Sequence, residues 1–235
     1  MKAVLFDCDG TIADSCGVIC ATMRQAFEAQ GLPAPDDVAT RSIIGLSLDE
    51  AIRRLRPVAE PHLVAAIVDG YRQAFRAARR DPAFREHLFP GMKALVEDLA
   101  ARDDVLLGLV TGKSRRGVAA ICEAHGLTQA FAAIRTADDC PSKPHPAMVE
   151  ECCAVFGISP RETLVIGDSV FDVEMAGAAG AAALGVAWGT HEAAPLVASG
   201  AFGVADTVAD LVVAVDRWLE MPVPHAMLPH AAPTN

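Results

Sequence analysis

The sequence of 235 residues lacks the features that direct a chain to a membrane or to nucleic acid. No apolar run is long enough to span a bilayer, and the positively charged start of a secretory signal peptide is absent. There is no excess of basic residues either, because the formal net charge is -10. A chain this acidic is poorly suited to bind nucleic acid or an anionic membrane surface. We therefore expect neither of them as a partner.

The sequence also lacks any CxxC pair, and its seven cysteines are odd in number. Both observations favour reduced thiols and a cytoplasmic location over a disulfide framework. Cys16 and Cys20 lie one helical turn apart, but no second pair accompanies them, so packing is favoured over a metal cluster. We expect a monomer or a weak homodimer.

Short apolar runs of strand length recur along the chain without polar alternation, which is typical of a sheet buried on both faces. Helical patterns separate the later runs, and strand alternating with helix predicts an α/β fold with a Rossmann-like parallel sheet. The predicted strands cover residues 3–6, 105–110, 131–134, 163–166 and 182–187, and the helices lie near residues 91–102, 115–125, 146–156 and 170–179.

Almost a hundred residues separate the first predicted strand from the second, and their apolar spacing is helical. Ser47 and Glu50 predict a capping box at the start of one of these helices, and Gly45 in the preceding loop is the expected point of close approach to the sheet. The interval therefore predicts an inserted helical cap. The predicted division is an α/β core (residues 1–14 and 89–220), a helical cap (residues 15–88) and a loose, proline-rich tail (residues 221–235).

Polar residues follow four of the predicted strands. Because the carboxyl ends of parallel strands open on one edge of the sheet, we expect these side chains to meet in one crevice. Clustered carboxylates repel one another unless a cation joins them, and oxygen ligands suit Mg²⁺, which commonly works with phosphate oxygens. A carboxylate can attack phosphorus, and a second one nearby can transfer a proton. The residues are Asp7, Asp9, Thr111, Gly112, Lys143, Asp168 and Asp172.

These segments resemble, in order and spacing, the four motifs of the haloacid dehalogenase superfamily. They are DCDGT at residues 7–11, VTG at 110–112, KP at 143–144 and GDSVFD at 167–172. The insertion after the first motif is similar to that of the phosphoglycolate phosphatase-like branch. The resemblance covers about residues 1–219.

The resemblance implies a role for each matching residue. Asp7 would be the nucleophile that forms an aspartyl-phosphate, and Asp9 would protonate the leaving oxygen and then activate water. Thr111 would bind the phosphoryl group, Gly112 would give close backbone access to it, and Lys143 would stabilise both nucleophile and phosphate.

The resemblance also implies the cofactor and the reaction. Mg²⁺ would be held by Asp7, the carbonyl of Asp9 and Asp168, with Asp172 supporting it directly or through water. The dehalogenases of the superfamily lack the second aspartate of the first motif, so Asp9 favours phosphate over halide. The implied function is a Mg²⁺-dependent phosphatase that hydrolyses a small phosphorylated metabolite similar to phosphoglycolate.

Three alternatives stay open: a phosphomutase of the β-phosphoglucomutase type, an inorganic pyrophosphatase and a receiver-like phosphoacceptor. Receiver domains are about half this length and lack the insertion. In the related mutases an arginine typically follows the serine of the cap loop, whereas Leu48 follows Ser47 here. Arg41, Arg53 and Arg54 lie nearby in sequence as substitutes for a second phosphate site.

Overall fold

A parallel sheet forms the centre of the fold. The computed structural model describes residues 1–81 and 84–222. Its strands are β1 (Lys2–Phe6), β2 (Ala13–Asp14), β3 (His87–Leu88), β4 (Val105–Thr111), β5 (Ala133–Thr136), β6 (Thr163–Gly167), β7 (Ala182–Val186) and β8 (Val204–Ala205). Six of them pair in the order β5-β4-β1-β6-β7-β8, with every pairing parallel. The α/β prediction is confirmed.

Helices cover both faces of this sheet and also fill the long interval after β2. They are α1 (Cys16–Glu28), α2 (Asp37–Arg41), α3 (Leu48–Leu55), α4 (Pro61–Ala78), α5 (Met92–Ala100), α6 (Arg115–His125), α7 (Ala147–Phe156), α8 (Val170–Ala179), α9 (Ala193–Ala198) and α10 (Val208–Glu220), with a 3-10 turn at Pro160–Glu162. Val4 and Phe6 of β1 belong to a cluster with side chains of α5, α6 and α10. Leu5 belongs to a second cluster with α7 and α8. The apolar run is continuous because each face of β1 packs against helices.

The sheet differs from the sequence prediction at its edges. The third predicted strand is shifted by two residues, because Phe131 is buried in the core before β5 begins. The sequence analysis did not predict strand β8 or helices α9 and α10, although Thr207 and Asp210 form a capping box at the start of α10. Within the described residues, no helix is both long and apolar enough to cross a membrane.

Helices α1 to α4 lie between β2 and β3, which pair as a short antiparallel ribbon. The sequence analysis did not predict this ribbon. The four helices build their own apolar cluster, in which Met23 and Phe27 of α1 pack with Ile52 of α3 and Ile67 of α4. On this basis we propose that residues 15–88 form a cap on a core of residues 1–14 and 89–220. Of the predicted tail, residues 223–235 lie outside the described residues.

The loop between α2 and α3, residues 42–47, lies against the core and is called the cap loop below. The backbone N–H of Ser47 donates to Ser142 Oγ at 2.8 Å. The side chain of Ser47 makes no capping bond, so the predicted capping box is wrong, and Glu50 instead pairs with Arg54 at 3.2 Å. A Cβ atom on Gly45 would lie 2.9 Å from Ser169 Oγ, which confirms the predicted close approach.

Candidate active site

The predicted polar residues meet at the carboxyl edge of the central strands. Asp7 follows β1, Thr111 ends β4, and Asp168 follows β6. These strands are neighbours in the sheet, with β1 between the other two. Lys143 reaches the same edge from the segment between β5 and α7. The strand order alone therefore brings the ends of three motifs together.

A buried lysine joins two of the carboxylates. Lys143 Nζ donates to Asp7 Oδ1 at 2.7 Å and to Asp172 Oδ1 at 2.5 Å. Asp172 also accepts bonds at Oδ2 from the backbone N–H and the hydroxyl of Ser169, at 3.1 and 2.6 Å. Asp172 thus caps helix α8 and takes part in the polar cluster at the same time. The ammonium group needs these partners, because all of its side chain is inaccessible to solvent.

Two threonines hold Asp168 by hydrogen bonds, and it pairs with no lysine or arginine among the described residues. Its Oδ1 accepts from Thr11 Oγ1 at 3.0 Å. Its Oδ2 accepts from the backbone N–H and the hydroxyl of Thr190, at 2.8 and 2.6 Å. The sequence analysis assigned a role to neither threonine, although Thr11 belongs to the DCDGT motif. The signal was present in the GTH segment of residues 189–191, which follows a strand of the same sheet.

The cluster carries more negative charge than its surroundings neutralise. One carboxylate oxygen from each of Asp7, Asp168 and Asp172 lies within 4.8 Å of the other two. Burial raises the pKa of Asp7 to about 8; Lys143 opposes this rise, and the neighbouring acids add to it. Burial and Asp172 raise the pKa of Asp168 to about 6, against its threonine hydrogen bonds. Burial alone lowers the pKa of Lys143, but the two carboxylates outweigh it and raise that pKa.

These residues fit a divalent cation. When all three carboxylates are ionised, the single ammonium group of Lys143 leaves two negative charges uncompensated at the site. Asp7 Oδ2 is buried and has no hydrogen-bond partner within the described chain, so one ligand position is free. An all-oxygen donor set of this kind suits Mg²⁺.

The side chain of Asp9 turns away from this cluster. Its Oδ1 accepts from Ser15 Oγ at 2.5 Å and from Lys113 Nζ at 2.8 Å. The carboxylate of Asp9 is therefore not among the clustered oxygens, and only its carbonyl remains as a proposed metal ligand. Asp7 and Asp9 nevertheless line the same cavity.

Lys113 is a site residue that the sequence analysis missed. Besides Asp9, its Nζ donates to Glu86 Oε1 at 2.9 Å, and only 7% of its side chain is exposed. Glu86 in turn accepts from both Nε and Nη2 of Arg79, at the end of α4. Burial alone lowers the pKa of Lys113, but Asp9 and the other neighbouring acids raise it above its ordinary value. Lys113 follows the predicted Thr111 and Gly112 directly, so its position was the available signal.

Gly112 lies where the cap loop meets the core. A Cβ atom at this position would lie 2.4 Å from the carbonyl oxygen of Leu46 and 2.5 Å from that of Gly45. Such contacts are too short for any side chain. The absence of a side chain at Gly112 therefore lets the cap loop approach the strand end. Thr111 Oγ1 accepts from the backbone N–H of Lys113 at 3.2 Å.

A cavity of about 630 Å³ lies between the proposed cap and the sheet edge. Its floor includes Asp7, Asp9 and Thr111, and its other walls include residues of α1, the cap loop, α3, α4 and α6. The acidic floor therefore lies beneath a larger space whose walls are partly apolar and partly charged. Such a site can bind a ligand whose reactive end is anionic, provided that a cation offsets the carboxylates.

Comparison with known proteins is consistent with this geometry. Residues 4–186 match the model of the family described as haloacid dehalogenase-like hydrolase. A probable phosphatase IndB from Dickeya dadantii is 32% identical over 222 residues, 93% of this chain and 95% of that protein. A phosphoglycolate phosphatase from Photorhabdus laumondii is 30% identical over 191 residues, 80% of this chain and 81% of that protein.

Among solved structures, a hydrolase from Pseudomonas syringae superposes with a TM-score of 0.82 at 23% identity. The superposition covers 92% of this chain and 99% of the other, and it shows that the fold is shared. The family model spans all the motif segments from residue 7 to residue 172. The chain therefore belongs to the haloacid dehalogenase-like hydrolase family.

Proposed function

We propose that this hydrolase is a Mg²⁺-dependent phosphatase that cleaves a phosphorylated metabolite through an aspartyl-phosphate on Asp7. The observation that carries the proposal is the setting of Asp7 at the floor of the cavity. Lys143 holds its Oδ1 at 2.7 Å, whereas its Oδ2 is buried without a hydrogen-bond partner. One oxygen is thus fixed and the other is free for a metal ion or a phosphorus atom.

Asp9 is suited to the proton transfers. It lines the cavity together with Asp7, and hydrogen bonds from Ser15 and Lys113 to its Oδ1 fix the orientation of its carboxylate. In the first step Asp7 attacks phosphorus, and a proton passes from Asp9 to the leaving oxygen. In the second step Asp9 takes a proton from the water that hydrolyses the aspartyl-phosphate, which returns Asp7 to a carboxylate and Asp9 to its protonated form.

Thr111, Lys143 and the backbone after β4 would bind the oxygens of the phosphoryl group. Lys143 reaches Asp7 and Asp172 together, so it can neutralise charge that develops beside the nucleophile. Asp7, Asp168, Asp172 and the carbonyl of Asp9 would hold Mg²⁺. When bound, Mg²⁺ supplies further charge neutralisation at the transferring phosphoryl group.

The mutase alternative is less well supported. A mutase must hold a second phosphate in the cap, and the three arginines that the sequence offered for such a site, Arg41, Arg53 and Arg54, do not line the cavity. Arg54 instead lies over the ring of Phe171 at 4.8 Å and pairs with Glu50. Inorganic pyrophosphate, the third possibility, would leave the apolar walls of the cavity without contact. We therefore propose that water, and not a sugar hydroxyl, receives the phosphoryl group.

The experiment is to measure release of inorganic phosphate from phosphoglycolate and from an aryl phosphate, with Mg²⁺ present. Asp7→Asn is nearly isosteric but cannot attack, so turnover should fall on the order of 10⁴-fold or more. Asp103→Asn, at an exposed turn, is the matched control and should keep the wild-type rate. A folded Asp7→Asn variant with most of its activity would contradict the mechanism.

A further inference from the structure

The cavity above Asp7 is large for a two-carbon phosphate. At about 630 Å³ it falls within the range of about 300–1,000 Å³ that holds ligands of drug size. The volume does not come from a cap that stands away from the core. The cap loop contacts the core through Ser47 and Ser142, and Gly112 lies against the carbonyl of Leu46. The space therefore remains when the loop is in place.

One part of the cavity wall is apolar and aromatic. Ile19 and Ile44 pack together, with Tyr71 and Phe75 against them, and the two rings stack with centroids 5.9 Å apart. Met23 extends this wall, and all five side chains line the cavity. Burial of an apolar group here would be favourable in proportion to its area. Phosphoglycolate has no apolar body to contact such a wall.

Another part of the wall is cationic and meets solvent. Arg76 of α4, Arg80 just after the end of α4, and Arg116 of α6 line the cavity and are exposed. Within the described residues, none of the three side chains has a hydrogen bond or an ion pair. Unpaired arginines from two elements thus converge on one cavity in a protein of net charge -10. A local cationic region of this kind attracts anionic groups, most strongly at low ionic strength.

We infer that the preferred substrate is a phosphate ester with a bulky, partly apolar alcohol that carries a second negative charge. The phosphate would lie at Asp7, the apolar body against Tyr71 and Phe75, and the second anionic group near Arg76 and Arg116. The inference rests on the proposed phosphatase function and names the substrate class for that same site. The sequence analysis assigned no role to these arginines.

The test uses four esters of primary alcohols, so that the reactivity of the leaving group stays similar. Ethyl phosphate is small and has no second charge, and phosphoglycolate is small with a carboxylate. Benzyl phosphate and 4-carboxybenzyl phosphate form the bulky pair. With wild-type protein and Mg²⁺, we expect kcat/KM to be at least about tenfold higher for each bulky ester than for its small counterpart, because the ring buries apolar area. The highest value should belong to 4-carboxybenzyl phosphate.

The charge is tested with a double variant, Arg76→Gln with Arg116→Gln. At low salt, the preference for 4-carboxybenzyl over benzyl phosphate should fall about three- to tenfold. The matched control is Arg41→Gln with Arg53→Gln, which removes the same net charge from exposed positions outside the cavity and should keep the preference.

The outcomes separate the two proposals. If ethyl phosphate and phosphoglycolate are hydrolysed as well as the bulky pair, the size inference is wrong and the phosphatase proposal stands. If both double variants change the preference equally, the arginine wall does not bind the second charge. If none of the four esters releases phosphate, the proposed function fails, and this inference fails with it.

Discussion

Replacing Asp7 with asparagine should stabilise the metal-free protein at neutral pH, although it removes the proposed nucleophile. The pKa of Asp7 is raised from 3.8 to about 8 in the folded state, chiefly by burial. Between these two pH values the folded protein holds a proton that the unfolded chain has released. The stability of the wild-type protein therefore falls as pH rises through this window. The stability of Asp7→Asn does not fall in this way, because an asparagine does not titrate.

The magnitude follows from the width of the window. Each pH unit between the two pKa values costs about 1.4 kcal/mol of unfolding free energy, so the cost is about 4 kcal/mol at pH 7 and roughly 2 kcal/mol at pH 5. The advantage of Asp7→Asn should therefore grow by about 3 kcal/mol from pH 5 to pH 7. It should level off above pH 8, where Asp7 is ionised in both states. Constant offsets, such as the altered bond to Lys143, cancel in this difference.

The assay is chemical denaturation in the presence of a chelator at pH 5, 6, 7 and 8. Wild type, Asp7→Asn and the control Asp103→Asn are compared at each pH. The control should run parallel to wild type, because it removes one exposed carboxyl group and leaves the buried acid cluster unchanged. If the curve for Asp7→Asn also runs parallel to wild type, Asp7 does not hold a proton in the fold and the electrostatic reasoning is refuted. In a separate measurement without chelator, added Mg²⁺ should stabilise wild type more than Asp7→Asn, because the metal binds the intact acid cluster.

Four further predictions concern activity and the cap. A chelator should abolish phosphate release, Mg²⁺ should restore it, and excess Ca²⁺ should inhibit it through its looser coordination; full activity without metal would contradict the cation site. Lys113→Met leaves Asp9 and Glu86 without the cation that they share. We expect kcat to fall more than KM changes, and the free energy of unfolding to decrease by about 3–5 kcal/mol. An unchanged kcat would show that Lys113 is not part of the site. Gly112→Ala forces a Cβ to within 2.4 Å of the Leu46 carbonyl, so the variant should lose about 1–3 kcal/mol of stability, and an unchanged melting temperature would show that the cap loop is free to move away. β-Glucose-1-phosphate with a trace of the 1,6-bisphosphate should give mainly inorganic phosphate, whereas efficient formation of glucose-6-phosphate would favour the mutase.

The sequence predicted the central strands and the residues at their ends because both depend on short-range patterns. A continuous apolar run marks a strand covered on both faces, and the polar residue after it falls at the sheet edge. Asp7, Asp168, Asp172 and Lys143 are therefore found together, as predicted. The weak edge strand β8 escaped prediction, since two residues carry no periodicity.

The missed site residues depend on long-range contacts that no local pattern records. Lys113 and Glu86 are 27 positions apart and look like ordinary charged surface residues until the fold buries both. The sequence analysis considered Arg41, Arg53 and Arg54 for a second anion site, whereas the arginines of the cavity lie on α4, just after its end, and on α6. Tertiary packing decides which face of such a helix lies toward the cavity. The spacing of residues in the sequence therefore did not identify these arginines.

The bond between Glu86 and Lys113 limits how freely the proposed cap can be exchanged between relatives. Glu86 lies on the cap side of the boundary at residue 88, while Lys113 and Asp9 lie on the core side. A chimera that takes residues 15–88 from a protein without an acid at this position would leave a buried ammonium with one carboxylate too few. A graft designed to alter substrate choice should therefore end before Glu86, or keep an acid opposite Lys113. The ion pair thus makes the residue at position 86 part of the site, although it lies on the cap side of the boundary.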